Sequence, residues 1–218
     1  MRNDAIIFDI DGTLWNACPI SAKGWNNGLK ELGIKKEITT QDIERVTGHP
    51  YKECIEILFP EFYQRFPELF GTLEEHEIAA IKMEGGVFFD GVVTGVKKLA
   101  EFHRLFIISN CQEWYLRILL DRSGFEDLIE GYDCNGMSNL PKGEMITRMK
   151  ERYSLGNPVY IGDTVSDEVA ATAAGIEFIH VAYGFGFPKG APKSFGAFPD
   201  LVDYFLGRGA SKPRCLAK

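Results

Sequence analysis

Near its start the chain carries an apolar run that ends abruptly in acid: residues 5–13 read Ala-Ile-Ile-Phe-Asp-Ile-Asp-Gly-Thr. A short apolar run bounded by Asp-Gly predicts a buried strand closed by a turn. The pattern then changes, and for about ninety residues apolar positions recur only at helical spacing. Ile20, Trp25, Leu29 and Leu32 share one face, closed by Gly33. Thr39 or Thr40 caps a second helix through Ile43 and Val46, which stops before Gly48. Pro50 opens a third through Cys54, Ile55 and Leu58, ended by Pro60, and residues 73–83 form a fourth before Gly85 and Gly86.

From Phe89 strands and helices alternate: helices at 91–103, 114–123, 142–152 and 165–174, strands at 105–109, 128–132, 158–162 and 178–182. Alternation of this kind predicts an α/β fold, a doubly wound parallel sheet with a Rossmann-like core, covered on both faces by right-handed crossovers. Residues 1–15 and 86–218 make that core, and residues 16–85 leave and rejoin it as a helical insertion. Asp9, Ser109 and Asp163 then fall at the carboxyl ends of three strands, the edge where open parallel sheets hold ligands. Residues 207–218 are basic and aperiodic, which predicts a loosely held terminus.

Four blocks carry a more specific message when read in order. They are the segment 5–13, Phe-Ile-Ile-Ser-Asn at 106–110, Leu-Pro-Lys-Gly at 140–143, and Tyr-Ile-Gly-Asp-Thr-Val-Ser-Asp at 160–167 followed by the Ala-rich stretch 170–175. Together they resemble the haloacid dehalogenase superfamily, and within it the capped phosphatases of the phosphoglycolate phosphatase and β-phosphoglucomutase type. The resemblance spans residues 5–207 and implies that residues 16–85 are a helical cap.

Charge alone asks for a cation. Asp9, Asp11, Asp163 and Asp167 bring up to four carboxylates into one pocket, where each raises the others' pKa. An all-oxygen ligand set of this kind suits Mg²⁺. The resemblance implies that Asp9 and Asp163 bind the metal directly, with the backbone carbonyl of Asp11 as a third ligand and Asp167 acting through water. It also makes Asp9 the nucleophile that accepts a phosphoryl group, and Asp11 the acid that protonates the leaving oxygen and later deprotonates water. Ser109, Asn110, Lys142 and backbone N–H groups around Ile10 to Gly12 would bind the phosphate. Such electrostatic help is needed, because phosphomonoester hydrolysis calls for up to ~10²¹-fold acceleration and general acid catalysis supplies only ~10²- to 10⁴-fold.

Plainer readings stand beside these. Lys142 also suits a solvated surface lysine, Ser109 a helix cap, and Asp167 an exposed carboxylate favouring a helix N-terminus. Thr13 shapes the turn after Gly12, and Thr164 is open between turn and substrate. Gly48 and His49, in the loop 46–50, match the place where related caps present a substrate-selecting turn, although Gly-x-Pro is also an ordinary helix break. Asn16 departs from the family pattern, in which an acidic residue commonly stands there. Gly85, Gly86, Asp90 and Gly91 are hinge candidates.

Composition narrows the picture little further. The 218 residues are 45% hydrophobic and 25% charged with a net charge of −7, which speaks against nucleic-acid or anionic-membrane partners. No apolar stretch approaches a membrane span, and residues 5–8 are too short for a signal-peptide core. Five cysteines without C-x-x-C spacing fit a reducing, cytoplasmic setting, and the four histidines show no zinc-ligand spacing and suit surface or packing roles. The expected activity is a Mg²⁺-dependent phosphatase acting on a small phosphorylated metabolite, as a monomer or homodimer. A sugar phosphomutase shares every core residue. A non-catalytic metabolite sensor is disfavoured by the intact acid pair, and a 2-haloacid dehalogenase by Asp11.

Overall fold

The computed structural model describes residues 3–188 and 193–207. In chain order come β1 (Ala5–Phe8), β2 (Trp15–Asn16), α1 (Cys18–Glu31), α2 (Thr40–Val46), α3 (Tyr51–Leu58), α4 (Leu69–Glu84) and β3 (Val87–Phe88). Next are α5 (Val92–Ala100), β4 (Arg104–Ser109), α6 (Glu113–Ser123), β5 (Ile129–Cys134), α7 (Asn135–Ser138) and α8 (Lys142–Tyr153). The chain continues through β6 (Pro158–Gly162), α9 (Val165–Ala173), β7 (Glu177–Val181), β8 (Ser194–Phe195) and α10 (Phe198–Phe205).

Six strands form one parallel sheet in the order β5-β4-β1-β6-β7-β8, as the βα alternation predicts. β1 lies inside it, with Ala5 opposite Arg104 of β4 on one side and Pro158 of β6 on the other. Side chains of a strand alternate between faces, and both faces are covered here. Ile6 and Phe8 join Ile107, Ile161 and Phe198 in one cluster, while Ala5 and Ile7 join Phe106, Tyr160 and Met145 in the other. Burial on both faces is why these strands read as continuous apolar runs rather than alternating ones.

The helices α1 to α4 form the insertion and own a third cluster, including Trp25, Ile43, Tyr51, Ile55, Phe59 and Leu73. α1 and α4 approach closely because Gly24 has no side chain: a Cβ there would stand 2.6 Å from the Glu77 Cα. α2 begins with a capping box in which Thr39 and Asp42 exchange hydrogen bonds with each other's backbone.

Several elements differ from the sequence reading. A two-residue antiparallel ribbon, Trp15 opposite Phe88 and Asn16 opposite Val87, joins the two chains that enter and leave the insertion, where no strand is expected from the pattern. α4 starts at Leu69 rather than residue 73, just after Pro67, and α5 stops at Ala100 rather than residue 103. The short elements α7, β8 and α10 are additions; α10 buries Phe198, Leu201, Val202 and Phe205, a helical spacing present in the sequence. His103 and His180 are buried, whereas His49 keeps about half its side chain exposed. The basic tail falls outside the described residues beyond Gly207.

Because β1 is buried on both faces, truncating it opens a cavity with no room to collapse. Ile7→Ala is expected to cost about 2–5 kcal/mol in urea unfolding, whereas Val87→Ala, at an exposed site, should stay within about 0.5 kcal/mol.

Candidate active site

The carboxyl edge of the sheet delivers the acids. Asp9 follows β1 directly, its N–H donating to the Ile161 carbonyl at 2.9 Å, and the chain then turns tightly as Leu14 N donates to Ile10 O at 2.8 Å. Ser109 ends β4 and Asp163 follows β6. Lys142 enters at the first turn of α8, behind the N-cap residue Pro141. Its ammonium lies 3.0 Å from Asp9 Oδ1 and 2.6 Å from Asp167 Oδ1, and all three side chains are almost wholly buried. The plain reading of Lys142 as a solvated lysine is thereby excluded.

Asp167 is likewise not the exposed carboxylate of the plainer reading. It is fully buried, and its Oδ2 accepts from Thr164 N at 2.9 Å, Thr164 Oγ1 at 2.7 Å and Asp163 N at 3.2 Å. Asp167 N in turn donates to Thr164 Oγ1 at 3.2 Å, so the pair forms the capping box of α9, which gives Thr164 a structural role. Burial is favoured over exposure because the carboxylate meets both a helix N-terminus and a buried ammonium.

Asp163 is divided between its two oxygens. Oδ2 accepts from Phe185 N at 2.6 Å and Gly186 N at 3.1 Å, while Oδ1 is buried with no partner. Carboxylate oxygens of Asp9, Asp163 and Asp167 all come within 4.8 Å of one another. Three buried acids against one ammonium leave the cluster short of positive charge, and an orphaned anionic oxygen is costly without a cation. The donor set therefore fits a hard divalent ion, with Asp163 Oδ1 and Asp9 the groups best placed to bind it. Asp167, its oxygens already engaged, suits a supporting position. Gly12 makes the approach possible, since with φ +74° it holds the left-handed turn and a Cβ there would stand 2.3 Å from Asp163 Oδ2.

Asp11 occupies a different environment, half-buried on the wall of a cavity of about 80 Å³ between sheet edge and insertion. Tyr115 donates its hydroxyl proton to Asp11 Oδ1. Burial, opposed by that hydrogen bond and reinforced by the charges of Asp9 and Asp163, pushes the Asp11 carboxyl up to about 8. Asp9 and Asp163 are raised as well, each chiefly by burial, to about 6 and about 7. Burial works against the Lys142 ammonium, but the neighbouring Asp167 and Asp9 charges outweigh it and leave its pKa raised.

Ser109 does not cap α6, whose N-cap is Gln112; its Oγ accepts from Cys111 N at 3.3 Å. Asn110 Nδ2 donates to Gly48 O at 2.7 Å, which ties the sheet edge to the insertion. Gly48 and His49 both line the cavity, and His49 Nδ1 lies 3.3 Å from Glu53 Oε2. One expected phosphate donor is lost, because Gly12 N is already bonded to Trp15 O at 3.1 Å. Asn16 instead accepts from Cys18 N at 2.9 Å, at the entry to α1.

Three participants escaped the sequence reading. Tyr115 holds Asp11, and Tyr160 donates to Ile108 O at 2.8 Å with Asp9 Oδ1 3.4 Å away. Glu77 is buried on α4, lines the cavity, and accepts from Trp25 Nε1 at 2.6 Å.

Comparison with known proteins agrees with this geometry. The sequence profile described as "Haloacid dehalogenase-like hydrolase" matches residues 6–181. The chain belongs to that family. It is similar to a phosphoglycolate phosphatase of Xanthomonas campestris pv. campestris, 24% identical over 88% of this chain and 89% of the relative. It is also similar to a phosphoglycolate phosphatase of Colwellia psychrerythraea, 28% identical over 92% and 96%. Among solved structures, a haloacid dehalogenase-like family hydrolase of Streptococcus pneumoniae superposes with a TM-score of 0.77 at 18% identity, covering 93% of this chain and 98% of that one. A superfamily hydrolase of Geobacter sulfurreducens gives 0.69 at 14%, covering 93% and 96%.

The raised acids make a prediction about metal-free protein. Between the ordinary carboxylate pKa of about 4 and the folded values, which reach about 8 at Asp11, the folded state holds protons that the unfolded chain has released. Stability therefore falls as pH rises through that window. Melting temperature in EDTA is expected to drop from about pH 5.5 to about pH 8.5, and added Mg²⁺ to raise it more at the higher pH. Equal Mg²⁺ shifts at both values would contradict the charge assignment.

Proposed function

We propose that the protein is a Mg²⁺-dependent phosphoric monoester hydrolase that works through an aspartyl-phosphate on Asp9, with Asp11 as general acid and base and residues 16–85 as its cap. The observation that carries the reading is the contrast between two neighbouring carboxyls. Asp9 sits beside the Lys142 ammonium, 3.0 Å away, whereas Asp11 sits apart from it with its carboxyl pushed up to about 8. One is suited to attack as a carboxylate, and the other holds a proton at neutral pH.

The chemistry follows from those states. A phosphomonoester enters with its phosphoryl group above Asp9, where the Lys142 ammonium balances its charge and the Ser109 hydroxyl turns to donate to it. The bonds that Asp9 accepts from Lys142 and Tyr160 both fall on Oδ1, which leaves the other oxygen to attack phosphorus. As the bond from Asp9 to phosphorus forms, the ester P–O bond breaks and the Asp11 proton passes to the leaving alcohol oxygen. Asp11, now a carboxylate, takes a proton from an entering water whose oxygen attacks phosphorus. The acyl-phosphate bond breaks, releasing phosphate and restoring Asp9. Tyr115 fixes the Asp11 carboxyl through both steps, since its O–H donation leaves the second oxygen to carry the mobile proton. Mg²⁺ held by Asp9 and Asp163 would supply the positive charge that lets an anionic nucleophile meet an anionic phosphate.

The relatives named phosphoglycolate phosphatases support phosphate-ester chemistry without naming this chain's substrate, given identities of 24% and 28%. The insertion meets the sheet edge through the Asn110 to Gly48 bond, so closing over substrate excludes bulk water. A cytoplasmic setting is supported by Cys18, Cys54, Cys111 and Cys134, all free thiols.

Phosphate release from p-nitrophenyl phosphate and a panel of small phosphomonoesters, with and without Mg²⁺, tests the proposal. Asp9→Asn should abolish turnover. Asp11→Asn should lower kcat by about 10²- to 10⁴-fold while Mg²⁺ still raises the melting temperature, because the backbone carbonyl is unchanged. Wild-type activity no higher than the Asp9→Asn control across the panel would refute it.

A further inference from the structure

The cavity has two ends of opposite character. At its floor Asp9 and Ser109 face the place of a phosphoryl group. At its roof, on α4, stands a second carboxylate that the hydrolytic chemistry does not use. Glu77 is 5% exposed, lines the same cavity as Asp11, and is held by the Trp25 indole N–H at 2.6 Å, with the Ser21 and Tyr51 hydroxyls beside it. The phosphate end cannot need it, because a carboxylate repels phosphate.

A second group points the same way. Asn110 is 7% exposed and lines the cavity; its amide nitrogen is committed to Gly48 O at 2.7 Å, and its Oδ1 is buried without a partner. The donation to a carbonyl settles which end of the amide is which, so the free atom is a hydrogen-bond acceptor. Among the described residues lining the cavity no lysine or arginine appears, and the one imidazole, His49, pairs with Glu53 at 3.3 Å. The aromatic rings of Trp25, Tyr51 and Trp114 complete the lining; such rings attract cations and stack on apolar faces.

A leaving group bearing a carboxylate would meet Glu77 with no arginine or lysine to receive it, whereas a hydroxyl or an ammonium would supply the donor that Asn110 Oδ1 lacks and a further donor to Glu77, which already accepts from Trp25 Nε1. Resting on the phosphatase reading, we infer that Glu77 is a specificity residue that receives a hydrogen-bond donor on the leaving group, so the substrate is the phosphate ester of a small polyol or amino alcohol, not of a hydroxy acid. The cavity of about 80 Å³ holds a leaving group of a few heavy atoms.

Three two-carbon esters that differ only at the far end decide the matter: 2-hydroxyethyl phosphate, O-phosphoethanolamine and 2-phosphoglycolate, compared by kcat/KM with Mg²⁺ or, for a poor substrate, by competitive inhibition of p-nitrophenyl phosphate hydrolysis. The hydroxyl and ammonium esters should exceed the carboxylate ester at least tenfold, a gap of about 1.4 kcal/mol in transition-state binding. Glu77→Gln should shrink that ratio to threefold or less, which isolates the local charge from the net charge of the protein. Equal use of the three, preference for 2-phosphoglycolate, or a ratio unmoved in a folded Glu77→Gln protein would overturn the inference. Should the variant fail to fold, the wild-type ranking decides alone. Absence of turnover with p-nitrophenyl phosphate would instead sink the phosphatase reading beneath it.

Discussion

The structure is organised around an imbalance of charge. Asp9, Asp163 and Asp167 are buried within 4.8 Å of one another and face a single ammonium, that of Lys142. Water cannot dissipate that charge, so backbone and side chains must. Asp167 is satisfied by a helix N-terminus and Lys142, Asp163 by two loop N–H groups at one oxygen, and Asp9 by Lys142. What remains unsatisfied is Asp163 Oδ1. The residual negative charge suits the cluster to a cation and, in the proposed reading, through that cation to a phosphate.

The arrangement also explains how much could be read from the chain before folding. β1, β4 and β6 are legible because strands buried on both faces must be apolar throughout, and the acids that follow Phe8 and Gly162 mark where burial ends. The ribbon of β2 and β3 is illegible because two residues make no period, and each strand is defined only by a partner distant in sequence. Asp167 was open to an exposed reading because its burial depends on Lys142, which arrives from another helix. Tyr115 and Tyr160 leave no local trace, since where a phenol oxygen points is settled by tertiary packing. Glu77 did leave one: it stands between Leu73 and Ile81 at four-residue intervals, a carboxylate on the buried stripe of α4.

In the proposed reading, chemistry and recognition come from separate parts of the fold. The strand ends would supply the groups that act on phosphate, while α1, α3 and α4 supply Trp25, Tyr51 and Glu77 to the cavity wall. Asn110 belongs to both, since it neighbours Ser109 in sequence and bonds to Gly48 in the insertion.

The central place of β1 has a consequence for biosynthesis. Its Ala5 to Phe8 segment is synthesised before either partner, so one flank waits roughly 100 residues for β4 and the other roughly 150 residues for β6. At about 5–20 residues per second the longer wait lasts on the order of 10–30 seconds, during which at least one unpaired edge of a wholly apolar strand is available to any other nascent chain. The strand that leads into Asp9 is thus also the segment on which chaperones have most reason to act.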